Sequence, residues 1–467
     1  MNTRLCTFFI FLSVLSACNR TYKGEVLDGV LEVPENRNNQ NSQTIELVYK
    51  VLKANTPDST KVPIVYLQGG PGGATLIMEE YWANHPLRND RDIVLMDQRG
   101  TGESEAICVN SGKALFTIMR QDYNIEEDFE ATKVVMAACK KTIQQKGSDL
   151  AGYNSRENAT DFEDLRKVLG YKKWNLFGVS YGSRLGLTIM RDFPESVRSA
   201  VLMGVFPPEF NMYGDRVRSL NGSLLGVLQS CKENKSCNKQ YPNLKERLHK
   251  VLTKLQSSPL SFNYKNEPFV LNSHDAFVLL FVSLFDIHTI ENIPFFIESL
   301  ENGETETIIE FLKAYEHLNN LLNLPMNFSF NAYEELPFYD KENLDMAIQQ
   351  SEFGFGLDYY NAVIKIMTDW HSYRASDIEK QPVISDVPTL LISGSLDPVT
   401  PPKNAIEASK KLKNSYEVTF KNESHSFFNT CLLKITENFI NNPSTKPNMN
   451  CSSEIKPIEW HLSKSSQ

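Results

Sequence analysis

A serine between two glycines is the residue of this chain best placed to do chemistry. Ser180 stands at the centre of Gly-Val-Ser-Tyr-Gly at 178–182, after the apolar run Trp174–Phe177 and before a helix predicted over Ser183–Arg191. A sharp turn from strand to helix exposes the serine hydroxyl, and flanking glycines avoid collisions with the neighbouring strand and helix. The pattern predicts that Ser180 is a nucleophile, with a structural turn serine as the alternative.

A serine hydroxyl is a weak nucleophile at neutral pH and needs a general base that a carboxylate orients. Of the eight histidines, only His425 lies just after a late predicted strand. Asp397 lies in the loop after the preceding strand, whereas Asp386 precedes that strand and is the weaker candidate. Because this kind of turn is followed along the chain by the acid and then the histidine, we predict a Ser180–Asp397–His425 triad.

Acyl transfer also needs backbone N–H groups that hold the oxyanion of the tetrahedral intermediate. One donor is expected from Tyr181, the residue after the nucleophile. The second is expected from Gly70, in the glycine-rich loop at 69–73 that follows the first core strand. A phosphate-binding loop is the alternative for 69–73, but the Gly-Lys-Ser/Thr ending of such loops is missing.

These residues require a sheet to position them. Apolar runs alternate with helical patterns, such as Thr160–Leu169, which predicts right-handed crossovers and a parallel sheet. The expected parallel strands of this first part are Val62–Leu67, Asp92–Met96, Trp174–Phe177 and Val197–Met203. Upstream, Leu27–Val33 and Thr44–Leu52 are expected to form an antiparallel pair at the sheet edge.

After residue 206 the alternation stops, and 207–385 is predicted to be mostly helical. The strand pattern returns over Pro388–Ser393 and Ser415–Phe420, followed by a helix near Leu432–Ile440. We therefore predict one core, 18–206 and 386–440, with a helical cap inserted at 207–385 and a peripheral tail at 441–467; a separate C-terminal domain is the alternative. The expected cap helices are Val217–Gln229, Leu244–Leu255, Asp275–Phe285, Thr305–Leu322 and Leu357–Trp370.

Five sequence blocks, in this order, resemble the proline iminopeptidase and tripeptidyl aminopeptidase family. They are Gln-Gly-Gly-Pro-Gly-Gly at 68–73, Asp-Gln-Arg-Gly-Thr-Gly-Glu-Ser at 97–104, Gly-Val-Ser-Tyr-Gly-Ser at 178–183, Gly-Ser-Leu-Asp-Pro-Val-Thr-Pro at 394–401 and Glu-Ser-His at 423–425. The resemblance covers roughly 25–206 and 386–440. It implies an α/β-hydrolase fold with an inserted cap, and a serine exopeptidase that needs neither a metal nor an organic cofactor.

The resemblance also implies roles for individual residues. It assigns the oxyanion donor to Gly70 with a cis Gly70–Pro71 bond, and it gives 97–99 a structural role beside the nucleophile. Gln68 is a departure, since many members have histidine there. In the family, cap carboxylates bind the free α-amino group of the substrate. The cap cannot be aligned, so none of the available carboxylates is assigned: Glu209, Glu334, Glu335 and Glu352.

Residues 1–17 are predicted to be a signal peptide. The apolar run Leu5–Leu15 is shorter than the roughly 20 residues of a membrane-spanning helix, and small residues follow it. Leu-Ser-Ala-Cys at 15–18 resembles the bacterial lipoprotein box, so Cys18 is expected to be the lipidated first residue. We expect an exported lipoprotein of the periplasm or outer membrane, with an ordinary secretory signal as the alternative.

The remaining cysteines fit an exported protein, because an even number permits disulfide pairing in an oxidising compartment. Proximity in the sequence favours Cys108–Cys139, Cys231–Cys237 and Cys431–Cys451, and free buried thiols are the alternative. No Cys-x-x-Cys or mixed Cys/His spacing suggests a metal site.

The net charge of −9, without a Lys/Arg-rich cluster, gives no support to nucleic-acid binding. The expected partners are a peptide with a free amino terminus and a membrane reached through the lipid anchor. The sequence leaves two alternatives open: an esterase or other small-molecule hydrolase with the same triad, and a catalytically silent binding protein.

Overall fold

The computed structural model describes residues 24–105, 107–210, 212–357, 359–454 and 456–462. The expected signal peptide and Cys18 lie outside these residues. The strands are β1 (Val26–Pro34), β2 (Thr44–Leu52), β3 (Ile64–Leu67), β4 (Ile93–Met96), β5 (Trp174–Val179), β6 (Val197–Met203), β7 (Leu260–Tyr264), β8 (Glu267–Leu271), β9 (Thr389–Gly394) and β10 (Ser415–Phe420).

Eight of these strands form one sheet in the order β1-β2-β4-β3-β5-β6-β9-β10. β1 pairs antiparallel with β2, and β2 pairs antiparallel with β4. All other neighbours are parallel. Every residue of β3, β4 and β9 is buried, as expected for parallel strands covered by helices on both faces. The predicted parallel sheet with an antiparallel pair at its edge is therefore confirmed.

The candidate residues lie at one edge of this sheet. The loop 69–73 follows β3, residues 97–104 follow β4, Ser180 follows β5, Asp397 follows β9 and His425 follows β10. The carboxyl ends of parallel strands meet at the same edge, where ligands bind in open α/β sheets. The topology thus gathers segments that are far apart in the chain.

The helices between β3 and β6 are α1 (Glu79–Ala83), α2 (Ser111–Met119), α3 (Ile125–Gln145), α4 (Ser155–Val168) and α5 (Tyr181–Asp192). Of these, α1, α2 and α3 were not predicted from the sequence. α2 contacts α12 of the cap (Thr305–Leu321) and α3 contacts α16 (Tyr359–Thr368), so both join the cap side of the molecule.

Between β6 and β9 lies the cap, which contains the expected helices and a hairpin, β7–β8, that the sequence did not predict. The remaining cap helices are α6 (Met212–Glu233), α7 (Lys235–Gln240), α8 (Leu244–Ser257), α9 (Ser273–Ser283), α10 (Ile287–Ile290), α11 (Ile293–Asn302), α13 (Leu324–Glu334), α14 (Lys341–Gln349) and α15 (Gly354–Leu357). Two further helices belong to the core: α17 (Pro402–Ser409) and α18 (Thr430–Asn441).

The buried apolar side chains of the cap form one continuous cluster with those of the core on one face of the sheet. This shared core keeps the cap packed over the carboxyl ends of the strands. The predicted disulfides are confirmed: Cys108–Cys139, Cys231–Cys237 and Cys431–Cys451 are bonded. Within the described part of the chain, no helix is both long enough and apolar enough to span a bilayer.

Candidate active site

Ser180 occupies the turn between β5 and α5 in a strained backbone conformation. Its φ is 57° and its ψ is −122°, and such conformations persist only where the surrounding structure imposes them. The glycines permit the close approach. A Cβ on Gly178 would lie 2.3 Å from the carbonyl oxygen of Gly182, and one on Gly182 would lie 1.9 Å from that of Leu67. The local geometry is therefore the strand-turn-helix arrangement that the sequence predicts.

His425 and Asp397 are in direct contact, with Nδ1 of the imidazole 2.8 Å from Oδ2 of the carboxylate and both residues buried. The ring also faces Gly204, where an added Cβ would lie 3.2 Å from Cε1 of His425. Gly204 follows Met203, whose carbonyl accepts a 2.8 Å hydrogen bond from the N–H of Ser180. The Asp397–His425 pair thus lies beside the end of β6 to which Ser180 is bonded, in the neighbourhood that a general-base mechanism requires.

Thr400 is a fourth member of this arrangement, which the sequence analysis did not single out. Its hydroxyl donates to Oδ2 of Asp397 at 2.7 Å and lies 3.0 Å from Nδ1 of His425. Burial raises the pKa of Asp397, but the charge of His425 and hydrogen bonds from His425 and Thr400 outweigh burial and hold that pKa below its ordinary value. Asp397 is therefore ionised beside the imidazole at neutral pH.

Replacing Thr400 with valine is expected to lower kcat about 10- to 100-fold, because a hydrogen bond to a charged group contributes about 1.5–3 kcal/mol. Valine keeps the shape of the side chain and removes only the hydroxyl. KM should change little, since the hydroxyl faces Asp397 and His425. Steady-state kinetics measure kcat and KM separately. Thr400→Ser, which keeps the hydroxyl, should retain most of the activity. Equal kcat in the valine variant and the wild type would contradict this role.

The glycine-rich loop runs beside the nucleophile. A Cβ on Gly69 would lie 3.0 Å from Cβ of Ser180. Gly70 has a φ of +127°, a region that favours glycine, and the Gly70–Pro71 bond is cis, as the family resemblance implies. Tyr181 is the first residue of α5 and is buried. The two predicted oxyanion donors, Gly70 and Tyr181, thus lie on segments that flank Ser180 on either side.

Gln68, which departs from the pattern that the resemblance implies, is hydrogen-bonded at both ends of the glycine-rich loop. Its Oε1 accepts hydrogen bonds of 2.9 Å from the N–H of Gly69 and from the hydroxyl of Tyr66, and its Nε2 donates to the carbonyl of Ala74. These contacts hold the two ends of the glycine-rich segment. The departure at Gln68 therefore leaves both ends of the loop held.

The segment 97–99 also contacts the loops around the site. Asp97 accepts backbone N–H bonds from Leu76 at 2.9 Å and from Glu103 at 2.8 Å, and Gln98 donates to the carbonyl of Gln68 at 3.0 Å. Arg99 is fully buried in an ion pair with Asp161 at 2.5 Å. These bonds agree with the structural role that the resemblance implies for the segment.

A family model described as the alpha/beta hydrolase fold matches residues 62–430, which is most of the chain. The chain belongs to the α/β-hydrolase family. The sheet order, the strained serine turn and the buried Asp397–His425 pair of this α/β-hydrolase are in keeping with that match.

Curated relatives of this α/β-hydrolase include peptidases. The putative hydrolase YuaR of Escherichia coli is 26% identical over 256 residues, covering 51% of this chain and 49% of its own length. The tripeptidyl aminopeptidase of Streptomyces lividans is 29% identical over 171 residues, covering 34% and 32%. The proline iminopeptidase of Neisseria meningitidis is 29% identical over 155 residues, covering 33% and 35%. The matches thus span half or less of these relatives, and they confirm the resemblance to this family.

Three of the four carboxylates considered from the sequence already have partners in this hydrolase. Glu334 accepts hydrogen bonds from Ser155, and Glu335 pairs with Arg184 and Lys380. Glu352 lies at the surface beside His249 and Lys245. Glu209 has one buried oxygen without a hydrogen-bond partner among the described residues, but the positive charges of Arg184 and Lys380 act on it. Burial nevertheless has the larger effect and raises the pKa of Glu209.

A carboxylate that the sequence analysis missed, Asp275, lines a cavity of about 220 Å³ between the cap and helices α2 and α3. Asp275 is 3% exposed, and its Oδ2 has no hydrogen-bond partner among the described residues. Burial and then the negative charge of Asp128, which lines the same cavity, raise the pKa of Asp275 well above its ordinary value. The cavity thus holds a buried acidic group, and the imidazole of His274 also belongs to its lining.

Proposed function

We propose that this α/β-hydrolase is a serine exopeptidase that releases short oligopeptides from the free amino end of peptides. Ser180 attacks the carbonyl carbon while His425 takes the hydroxyl proton, and Asp397 stabilises the resulting imidazolium. The N–H groups of Gly70 and Tyr181 bind the oxyanion. Collapse of the intermediate passes the proton from His425 to the leaving amine. Water then attacks the acyl-enzyme with His425 again as the base, which frees the peptide and restores Ser180.

The exopeptidase proposal rests on the burial of the Asp275 carboxylate, whose Oδ2 has no hydrogen-bond partner among the described residues. Removing a carboxylate from water costs several kcal/mol unless a cation pairs with it, whereas its place in the first turn of α9 returns only about 0.3–1 kcal/mol through the helix dipole. A substrate ammonium would supply such a cation. The side chains around it are mostly apolar, including Phe277, Phe281 and Phe328, so a bound ammonium would be shielded from water.

The position of Asp275 supports oligopeptides rather than single residues as products. α9 leads from Asp275 to Phe281, and Phe285 lies just beyond the end of this helix. The rings of Phe281 and Phe285 are 5.3 Å apart, and the ring of Phe285 lies 5.3 Å from that of His425. At about 1.5 Å per residue, α9 rises about 12 Å from Asp275 to its last residue, Ser283. An extended peptide covers about 3.3–3.6 Å per residue, so this helical length corresponds to about three or four residues of an extended substrate.

Replacing Asp275 with asparagine is expected to lower kcat/KM for a tripeptidyl arylamide about 10- to 100-fold, mostly through KM, because a charged hydrogen bond contributes about 1.5–3 kcal/mol. Wild-type protein should cleave the N-acetylated form of the same arylamide poorly, and the substitution should not change that rate. Steady-state kinetics on the two substrates measure this difference. The matched control is Glu352→Gln, at the cap surface, which should behave like the wild type.

The same variant should differ in pH dependence. Because the pKa of Asp275 is raised, KM of the wild type should rise as pH falls through that pKa and the carboxylate is protonated. KM of Asp275→Asn should stay flat over that range. The stability of the fold should depend on pH in the opposite direction. A carboxyl group whose pKa is raised in the folded protein lowers the free energy of unfolding as pH increases, so Asp275→Asn should melt no lower than the wild type above neutrality. Equal KM values for both proteins at every pH would contradict amine binding by Asp275.

The esterase alternative is tested with the same protein. Arylamides of amino acids and tripeptides are assayed beside nitrophenyl esters of short acids, since the serine turn serves esters and amides alike. The exopeptidase proposal requires arylamide cleavage that depends on a free amino group. Strong ester turnover with no arylamide cleavage would overturn it in favour of an esterase.

We also propose that the protein is exported and anchored by lipid on Cys18, in the periplasm or outer membrane. Three disulfides support the proposal, because such bonds persist in oxidising compartments. Several acyl chains, at about 0.8 kcal/mol per buried methylene, anchor a protein firmly. Mass spectrometry of the mature amino terminus tests it, with Cys18→Ser as the control that should be released from membranes. An unmodified Cys18 in the mature wild-type protein would exclude the anchor.

A further inference from the structure

One cap helix, α13, contacts the segments that carry both oxyanion donors. Its N-terminal end lies on the glycine-rich loop with Gly70, and its C-terminal end lies against Tyr181. We infer that α13 fixes the positions of the two donors relative to each other, with Asn327 and Glu334 as its positioning residues. The inference rests on the proposed function, because it assumes that the N–H groups of Gly70 and Tyr181 bind the oxyanion.

The N-terminal end of α13 is bonded to the carbonyl groups that follow Gly70. The side-chain amide of Asn327 donates to the carbonyl of Pro71 at 2.9 Å. The backbone N–H of Asn323, the N-cap residue, donates to the carbonyl of Gly72 at 2.8 Å. Asn331, one turn further along, donates to Oδ1 of Asn327 at 2.8 Å and so orients its amide. Two successive loop residues, Pro71 and Gly72, are therefore hydrogen-bonded to the N-terminal end of α13.

The C-terminal end of α13 fixes the side chain of Tyr181. Glu334 accepts the N–H of Ser155 at 2.5 Å and its hydroxyl at 2.8 Å. The same hydroxyl lies 2.7 Å from the hydroxyl of Tyr181. The ring of Phe330 meets the ring of Tyr181 edge-on, with centroids 5.3 Å apart. Glu334 is 6% exposed and Tyr181 2%, so these contacts are shielded from water.

The glycine-rich loop is not rigid by itself, and α13 holds it in one conformation. Glycine adopts many backbone conformations at little cost, so a loop with four glycines does not hold an N–H group in place by itself. An oxyanion donor has to lie about 2.7–3.1 Å from the developing charge. α13 spans about 16 Å from Asn323 to Glu334 as a continuous helix. Its ends therefore link the positions of Gly70 and Tyr181, and the cap contributes to the chemistry as well as to substrate access.

The test uses the full-length protein and a small nitrophenyl ester, which avoids contacts deep in the cap. Asn327→Ala and Glu334→Ala are expected to lower kcat about 10- to 100-fold, part of the loss seen when a donor is removed outright, with KM within threefold. The phosphonylation rate of Ser180 by a fluorophosphonate should fall in parallel. Glu334→Gln, which keeps an oxygen for the N–H of Ser155, should recover most of the rate.

The matched control is Ser329→Ala on the same helix. Ser329 is fully buried and accepts a 2.8 Å hydrogen bond from Nε1 of Trp370, away from the oxyanion donors. Its loss should lower the melting temperature without lowering kcat. Variants at Asn327 and Glu334 that melt lower but keep kcat within threefold of wild type would overturn the positioning role and leave the proposed function standing. Wild-type protein that neither hydrolyses the ester nor labels at Ser180 would overturn both.

Discussion

Replacing Ser180 with alanine is expected to lower turnover about 10⁴- to 10⁶-fold and to leave the fold intact. Alanine keeps the Cβ, so the strained backbone with a φ of 57° meets no new steric conflict. Only the hydroxyl that attacks the substrate is lost. Circular dichroism and the melting temperature should match the wild type, and fluorophosphonate labelling should vanish. A variant that keeps more than a tenth of the wild-type rate would refute Ser180 as the nucleophile.

The neighbouring Ser183 provides the matched control for this substitution. It is fully buried, and its hydroxyl donates to the carbonyl of Ser180 at 2.6 Å and accepts the N–H of Phe206 at 2.9 Å. Ser183→Ala removes these bonds and should lower the melting temperature, while labelling of Ser180 persists. The two serines therefore separate a chemical role from a structural one within the same turn.

The sheet could be predicted, and Ser180 could be chosen as the candidate nucleophile, because their signals are local. Parallel strands buried on both faces are continuous apolar runs, and the strand predicted over Trp174–Phe177 begins at the observed first residue of β5. The serine turn is encoded by residues 178–182, where glycines are needed at fixed offsets. Asp397 and His425 follow from chain order together with their positions just after predicted strands. Tertiary contacts were not needed to find any of these features.

The cap was harder to predict because its signals are weak or depend on packing. The hairpin β7–β8 turns at Lys265 and Asn266, both with positive φ, in place of the usual Asn-Gly. The start of α3 is marked by a capping box between Asn124 and Glu127, which could have been recognised in the sequence. Asp275 has no such signal. An aspartate in the first turn of a helix is normally solvated, and its burial arises from the packing of the cap.

Replacing Asp397 with asparagine is expected to lower kcat about 10⁴-fold, because the imidazole would be held in the wrong tautomer. The present Oδ1 accepts the backbone N–H groups of Val399 and Thr400, each at 2.8 Å. An asparagine oxygen would keep these two bonds, which turns the NH₂ group toward Nδ1 of His425. The imidazole would then accept at Nδ1 and carry its proton on Nε2. Since Nε2 would face the serine already protonated, it could not take the proton from Ser180.

Asp386, the weaker acid candidate from the sequence, serves as the matched control. Its side chain is 76% exposed and lies 3.6 Å from Lys413. Asp386 precedes β9, so it lies at the opposite end of this strand from Asp397. Asp386→Asn should leave kcat unchanged, since exposed pairs of this kind contribute about 0–1 kcal/mol and this one does not touch His425. The measurement is kcat for both variants at matched folding, judged by melting temperature. A large loss in Asp386→Asn together with full activity in Asp397→Asn would overturn the triad, because the orienting carboxylate would then lie at the opposite end of the strand.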